Sequence, residues 1–311
     1  MGATQEAAVR DMLTALVCAA SPEDLDRIAD RFARDARWTL YMPDGPTVVG
    51  REAIRSELQR QATTWRRLET QPLLMASSDD MVMAERADRI QLDGRVIEQR
   101  AAGVFSLDAE GRISAWRDYF DVLDVAAQAG VSPDGLSGLE ACPPGPGLDR
   151  SPPVPEATDG FGLAAALHAP RGPEEALIEA FCQAWGDGTP ASRPDVDRIV
   201  SMMAPDAEWL LWTPGGPLIR GREALRTEIN RQIAYSGHNR CNTVHAVSNP
   251  RLVIHERSDW AVLLGRPCPH QMVAVYELDQ DGLITAWREY INMADLDRKR
   301  GARAETAHLG I

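Results

Sequence analysis

Residues 115–119 read Ala115-Trp116-Arg117-Asp118-Tyr119, and residues 286–290 read Ala286-Trp287-Arg288-Glu289-Tyr290. The same offset of 171 positions carries Trp38 to Trp209 and Pro43 to Pro214. It carries Gly50-Arg51-Glu52-Ala53 to Gly221-Arg222-Glu223-Ala224, and Glu85-Arg86-Ala87-Asp88 to Glu256-Arg257-Ser258-Asp259. Register holds without net insertion from Asp24/Asp195 to Tyr119/Tyr290, so the chain reads as one domain duplicated in tandem.

The repeat sets the boundaries at 1–130 for the first copy and 170–300 for the second. Between them, 131–169 contains SPDGLSG, CPPGPG and SPPVPEATDG. Pro and Gly at that density suit an extended linker. A polar tail, 301–311, follows. The whole chain has 311 residues, enough for two cores of ordinary size.

Within the first copy, Val9, Met12, Leu13, Leu16 and Val17 have helical spacing over 5–19. Ser21-Pro22-Glu23-Asp24 starts a second helix running to about Phe32. A strand is expected over 36–42, a turn at Pro43-Asp44-Gly45-Pro46, and a helix from Gly50 to about Trp65. Strands follow at about 71–77, 80–90, 96–107 and 112–121, with Asp93-Gly94 as a hairpin turn. Helices first and antiparallel strands after them predict an α+β fold, helices packed on one face of a curved sheet.

Composition narrows the function classes. The chain is 44% hydrophobic and 25% charged, as soluble globular proteins are. A net charge of −13 argues against nucleic acid and anionic membrane partners. No apolar run reaches membrane-spanning length, and the N-terminus lacks the pattern of a secretion signal. Five scattered cysteines, with no C-x-x-C pair, fit reduced thiols and a cytoplasmic location. No His/Cys cluster has metal-ligand spacing, so no metal site is expected. Nucleotide loops and the Gly-x-Ser-x-Gly elbow are also missing, and no cofactor is expected.

The residues that point to chemistry lie on the strands. Arg86 and Asp88 are two apart and share a strand face with Ala84 and Ile90. Asp118 shares its face with Trp116 and Phe120. A guanidinium can bridge two carboxylates through its fork of donors. Burial and mutual repulsion are expected to raise the proton affinity of one of them, so that one acts as acid and the other as base. Opening an epoxide needs both: a proton for the departing oxygen and a base for the attacking hydroxyl or water. The competing reading is a structural ion-pair network.

Glu85-Arg86-Ala87-Asp88, Gly103-Val104-Phe105 and Gly111-Arg112-Ile113-Ser114-Ala115-Trp116-Arg117-Asp118-Tyr119-Phe120-Asp121 resemble the limonene-1,2-epoxide hydrolase family, within the SnoaL-like, NTF2-like fold group. The resemblance covers most of 5–125 and, more loosely, 174–297. It implies two cone-shaped domains, each with N-terminal helices on a curved mixed β-sheet around a deep apolar pocket. It implies a single-step, cofactor-independent reaction on a hydrophobic small-molecule epoxide. Carried over by position, Asp88 protonates the epoxide oxygen, Asp118 is the base, and Arg86 bridges them. The family's water-positioning Tyr and Asn fall here on Thr39 and Tyr41, so the nucleophile is left open between water and a hydroxyl of the substrate, as in polyether biosynthesis. Trp38, Trp116, Phe120 and Gln99 are expected to line the pocket. Relatives with one domain pair as dimers, and the tandem implies a pseudo-dimer within one chain.

In the second copy the corresponding set is Arg257, Asp259 and Glu289, with Trp212 and His270 expected to line its pocket and Leu210 and Trp212 in place of Thr39 and Tyr41. Pro267 and Pro269 stand where the first copy has Val96 and Glu98, and should disturb that strand. Whether this copy is active stays open. Alternatives for the whole chain are an isomerase or cyclase working by proton transfer, or a non-catalytic ligand-binding or scaffold protein.

Overall fold

The computed structural model describes residues 2–92, 94–132, 148–149 and 168–301. Most of the expected linker, Asp93 of the hairpin turn and the tail beyond Gly301 lie outside them. The chain divides into two compact units, Met1–Val154 and Pro155–Ile311.

In the first unit α1 (Gly2–Cys18) and α2 (Pro22–Ala29) precede β1 (Phe32–Thr39) and β2 (Thr47–Val49). Then come α3 (Arg51–Thr64), β3 (Trp65–Ser77), β4 (Met81–Leu92), β5 (Arg95–Leu107), β6 (Ile113–Tyr119), α4 (Val122–Ala129) and β7 (Leu148–Asp149). Ser21 caps α2 in a reciprocal box with Asp24, with Pro22 in the first turn. That helix stops at Ala29, short of Phe32, because Phe32 pairs with Ile113 and is recruited into β1. The sheet runs β3-β4-β5-β6-β1-β2-β7. It is mixed, since β1 pairs with β6 in parallel and the other neighbouring strands pair antiparallel.

The second unit repeats the plan with α5 (Pro173–Gln183), α6 (Val196–Ser201), β8 (Met203–Leu210), β9 (Leu218–Arg220) and α7 (Arg222–Ile233). β10 (Ser236–Arg240), β11 (Thr243–Asn249), β12 (Leu252–Leu263), β13 (Arg266–Pro267), β14 (His270–Leu278), β15 (Ile284–Ile291) and α8 (Met293–Arg300) follow. What is one strand at β3 becomes β10 and β11, and what is one strand at β5 becomes β13 and β14. The second break falls at Cys268-Pro269, where the sequence predicts it, because proline cannot donate to a ladder.

Each core is organised by the repeated tryptophans. Trp38 lies opposite Trp116 across the parallel β1/β6 pair, and their rings stack at 4.7 Å and 9°. Trp209 and Trp287 do the same at 4.2 Å and 2°. Such a pair adds about 0.5–1.5 kcal/mol beyond its buried area and fixes the register that places the residues two positions on. Those residues are Asp118 and Glu289. The turns holding cis Met42–Pro43 and Thr213–Pro214 are clamped to the same strands: Met42 N–H donates to the Asp118 carbonyl and Thr213 N–H to that of Glu289, each at 2.8 Å. No helix among the described residues is long and apolar enough to cross a membrane.

Candidate active site

In the first domain β5 lies between the strands that carry the charged set. Asp88 faces Gln99 across β4/β5, and Gly103 faces both Ala84 and Asp118. Gly103 is what lets Arg86 cross β5: a Cβ there would lie 2.6 Å from the Arg86 Nη1. The guanidinium then donates from Nε to Asp88 Oδ2 and from Nη1 and Nη2 to the two oxygens of Asp118, all at 2.8 Å. This fork fixes the carboxylate plane as well as its distance. Trp116 adds a third donor, its indole N–H reaching Asp118 Oδ1 at 2.7 Å. The sequence-predicted trio is therefore one connected network, 1%, 1% and 6% exposed at Arg86, Asp88 and Asp118.

Arg67 was not foreseen. β3 begins at Trp65, several residues before the expected strand, and brings the Arg67 Nη1 to 3.1 Å from Asp88 Oδ2. Burial pushes the Asp88 carboxyl up, but the Arg86 and Arg67 guanidiniums outweigh it and hold it below the usual range. Arg86, despite its burial, is held firmly charged by Asp118 and Asp88. The expectation that burial raises the proton affinity of a carboxyl is thus not met at Asp88, because a second cation compensates. Both guanidiniums meet the same oxygen, Oδ2, and the other, Oδ1, is buried.

Above the network lies a cavity of about 170 Å³. Arg86 and Asp118 reach it together with Trp38, Tyr41, Gln99 and Phe120, and Leu40, Ile90, Ile97 and Val125 make most of its wall apolar. Three placements differ from the sequence reading. Trp116 does not line the cavity; it is fully buried, holding Asp118 from behind. Thr39 does not line it either. It ends β1 with its hydroxyl 2.9 Å from that of Thr47, and the chain then turns, so strict alternation does not carry on to Tyr41. Asp88 is buried and does not itself line the empty cavity.

The second domain has a cavity of about 200 Å³, lined by Arg257, Asp259, Glu289, Trp212 and His270 as expected, and by Trp209 and Cys241. Its network is looser. A single nitrogen, Nη2 of Arg257, serves both Glu289 Oε1 at 2.8 Å and Asp259 Oδ2 at 3.0 Å. Nη1 is diverted to the Tyr276 hydroxyl at 3.1 Å. Sequence accounts for this: Ala274 replaces Gly103, crowding the crossing, and Tyr276 replaces Phe105, adding an acceptor. Glu289 is one methylene longer than Asp118, and the Trp287 indole N–H has no partner among the described residues. Burial therefore dominates over Arg257, and the Glu289 carboxyl is pushed up to about 7.

Among the described residues no group of three His, Cys, Asp or Glu side chains is placed to hold a metal ion. Arg288, one residue from Glu289, turns away and pairs with Glu277 at 2.7 Å.

Residues 5–130 match the model of the limonene-1,2-epoxide hydrolase catalytic domain, and residues 178–287 that of the SnoaL-like domain. Among solved structures, a protein with a ketosteroid isomerase-like fold from Catenulispora acidiphila DSM 44928, in complex with trimethylamine, is 21% identical. The match covers 41% of this chain and 95% of that one at a TM-score of 0.36. An LEH-like epoxide hydrolase from M. tuberculosis is 21% identical over 44% of this chain and 95% of its own, TM-score 0.35. A putative polyketide cyclase from Xanthomonas campestris pv. campestris is 20% identical over 40% and 95%, TM-score 0.35. The chain thus carries two NTF2-like domains in tandem, the first matching the limonene-1,2-epoxide hydrolase catalytic domain and the second the SnoaL-like domain.

Proposed function

We propose that the first domain opens the epoxide of an apolar small molecule by paired-carboxylate acid/base catalysis, without a cofactor. The observation that carries this is the Asp88–Arg86–Asp118 network at 2.8 Å contacts on the floor of a mostly apolar cavity. Asp118, facing the cavity and oriented by three donors, takes the proton of the nucleophile as the carbon–oxygen bond forms. The departing oxygen receives a proton from Asp88, carried on Oδ1, since Oδ2 is taken by Arg86 and Arg67. Arg86 keeps its charge and its geometry throughout.

Because two cations depress Asp88, its protonated form is scarce near neutrality and strongly acidic when present. Turnover by this route rises as pH falls below neutral. A second reading rests on the burial of Asp88: it fixes Arg86, and the proton comes from elsewhere. Assay of the full chain against terpene and polyketide epoxides, with product analysis, tests the reaction. Asp88→Asn then separates the readings, since loss of turnover with Arg86 still bound to Asp118 supports Asp88 as the acid. Running the reaction in water labelled with heavy oxygen decides the nucleophile: label enters a diol and is missing from a cyclic ether.

A further inference from the structure

A second chamber of about 600 Å³ lies in the first domain between the α1–α2 turn, the C-terminal end of α3 and the start of β3. Leu16, Val17, Leu25, Leu58 and Ala62 give it an apolar lining, and all but Leu58 are half-buried or exposed. Trp38, Gln61 and Arg67 border both this chamber and the catalytic cavity, so one layer of side chains separates the two. Trp38 is fixed by its stack on Trp116, and Arg67 by Asp88 and the Thr70 hydroxyl. Gln61 is the looser member, with one hydrogen bond from its amide to Glu57 Oε1 at 2.9 Å.

The second domain closes the same place with its own chain. Its α5–α6 connection, residues 184–195, is longer than residues 19–21 of the first domain and is tied to β10. Gly188 N–H donates to the Asn239 carbonyl at 3.0 Å, and Asp187 bridges to Arg240. Among the described residues the first domain has no such cover. Charge indicates what fits there. Among the described residues no acid lines the chamber. Arg60 is taken by Glu57 at 2.6 Å and Arg67 by Asp88, whereas the exposed Arg66 side chain has no ion pair or hydrogen bond among the described residues.

We propose, resting on epoxide opening in the first domain, that this chamber is a subsite for the chain of an elongated epoxide whose far end is a carboxylate paired with Arg66. The substrate class is thus a long-chain epoxy acid. At about 170 Å³ the catalytic cavity is smaller than pockets that enclose a drug-sized ligand, roughly 300–1,000 Å³. The chamber brings the space into that range. With the epoxide on the Arg86–Asp118 floor, Gln61 swings aside and the chain runs through to the apolar lining. Arg66 is exposed, so the carboxylate keeps much of its hydration and pairing costs little desolvation.

The test uses the full chain and three epoxides: 10,11-epoxyundecanoic acid, its methyl ester and cyclohexene oxide. The free acid is expected to have the lowest KM. Arg66→Gln should raise KM for the acid about fivefold at low salt and leave that of the ester in place. Ala62→Phe, which fills the chamber, should raise KM for acid and ester alike by about tenfold. Neither variant should change turnover of cyclohexene oxide. A KM for the acid that neither variant moves overturns the subsite and leaves epoxide opening standing. Calorimetry with undecanoate, which has no epoxide to open, separates the two readings: one site is expected, weakened by both variants. Absence of binding overturns the subsite, whether another part of the chain or a second copy covers the chamber, and so does binding that neither variant weakens. Undecanoate held through Arg66, with none of the three epoxides opened, keeps the chamber as a site for a long-chain carboxylate and sinks epoxide opening alone.

Discussion

The two domains carry an arginine and two acids on corresponding strands, yet their floors hold protons differently. In the first, Arg86 gives three N–H donors to two carboxylates and Arg67 adds a second cation, so charge is balanced and tightly oriented. In the second, one nitrogen of Arg257 is shared between Asp259 and Glu289, and Glu289 keeps its proton to about pH 7. Small changes separate them, among them Gly103 against Ala274, Phe105 against Tyr276, Asp118 against Glu289 and Arg67 against His238. A single methyl group beside a guanidinium, an added hydroxyl and one methylene redirect hydrogen bonds. That redirection sets which carboxyl is ionised more firmly than the presence of the acids does.

The largest expected effect is on catalysis. Asp118→Asn should lower epoxide turnover by about 100-fold or more, the usual contribution of a positioned acid or base. Retained turnover would remove the first domain from the chemistry. Next is Glu289→Gln. A carboxyl raised from 4.5 to about 7 on folding contributes its full stability below the unfolded value and loses it as pH rises through 7. Gln, permanently neutral, should therefore stabilise the second domain by about 3 kcal/mol at pH 8, with the gain vanishing near pH 4.5. Hydrogen exchange at β14 amides reads this, and a destabilised variant would refute a protonated Glu289.

A smaller effect comes from His255, which is fully buried, has no hydrogen-bond partner for either ring nitrogen among the described residues, and stands where the first domain has Ala84. Burial, then Arg257 and His168, hold it well below its usual value. The unfolded chain takes up this proton as pH falls through about 6.5 while the fold resists it. His255 thus costs the second domain about 1 kcal/mol between pH 7.5 and 5.5. The difference in pH slope of exchange stability between the parent chain and His255→Ala measures it, with no difference expected only if His255 finds a partner. The most modest expectation concerns Arg67→Met: with one cation gone, Asp88 binds its proton more strongly, and the alkaline limb of first-domain turnover moves to higher pH. An unchanged limb would leave Asp88 as a residue that holds Arg86.

Much of the candidate site was legible in advance because strand periodicity is local. Arg86 and Asp88 two residues apart, and Asp118 two beyond a tryptophan, had to share faces once their segments were strands. The failures lie where pairing between distant segments decides. Thr39 occupies a water-positioning place by resemblance, but β1 ends there and its hydroxyl meets Thr47. Trp116 has the right face and lies behind the cavity, because Trp38 stacks over it. Arg67 lay outside any expected strand until pairing with β4 extended β3 to reach it.

The sequence by itself determined the duplication, the order of helices and strands, and which charged residues occupy each domain's floor, since all of these follow from offsets and short-range spacing. Tertiary structure alone decided which donors each carboxylate receives, and so where a proton rests. Proton affinity in a buried site depends on desolvation and on ångström-scale distances to charges from other strands, and no pattern along the chain encodes those distances.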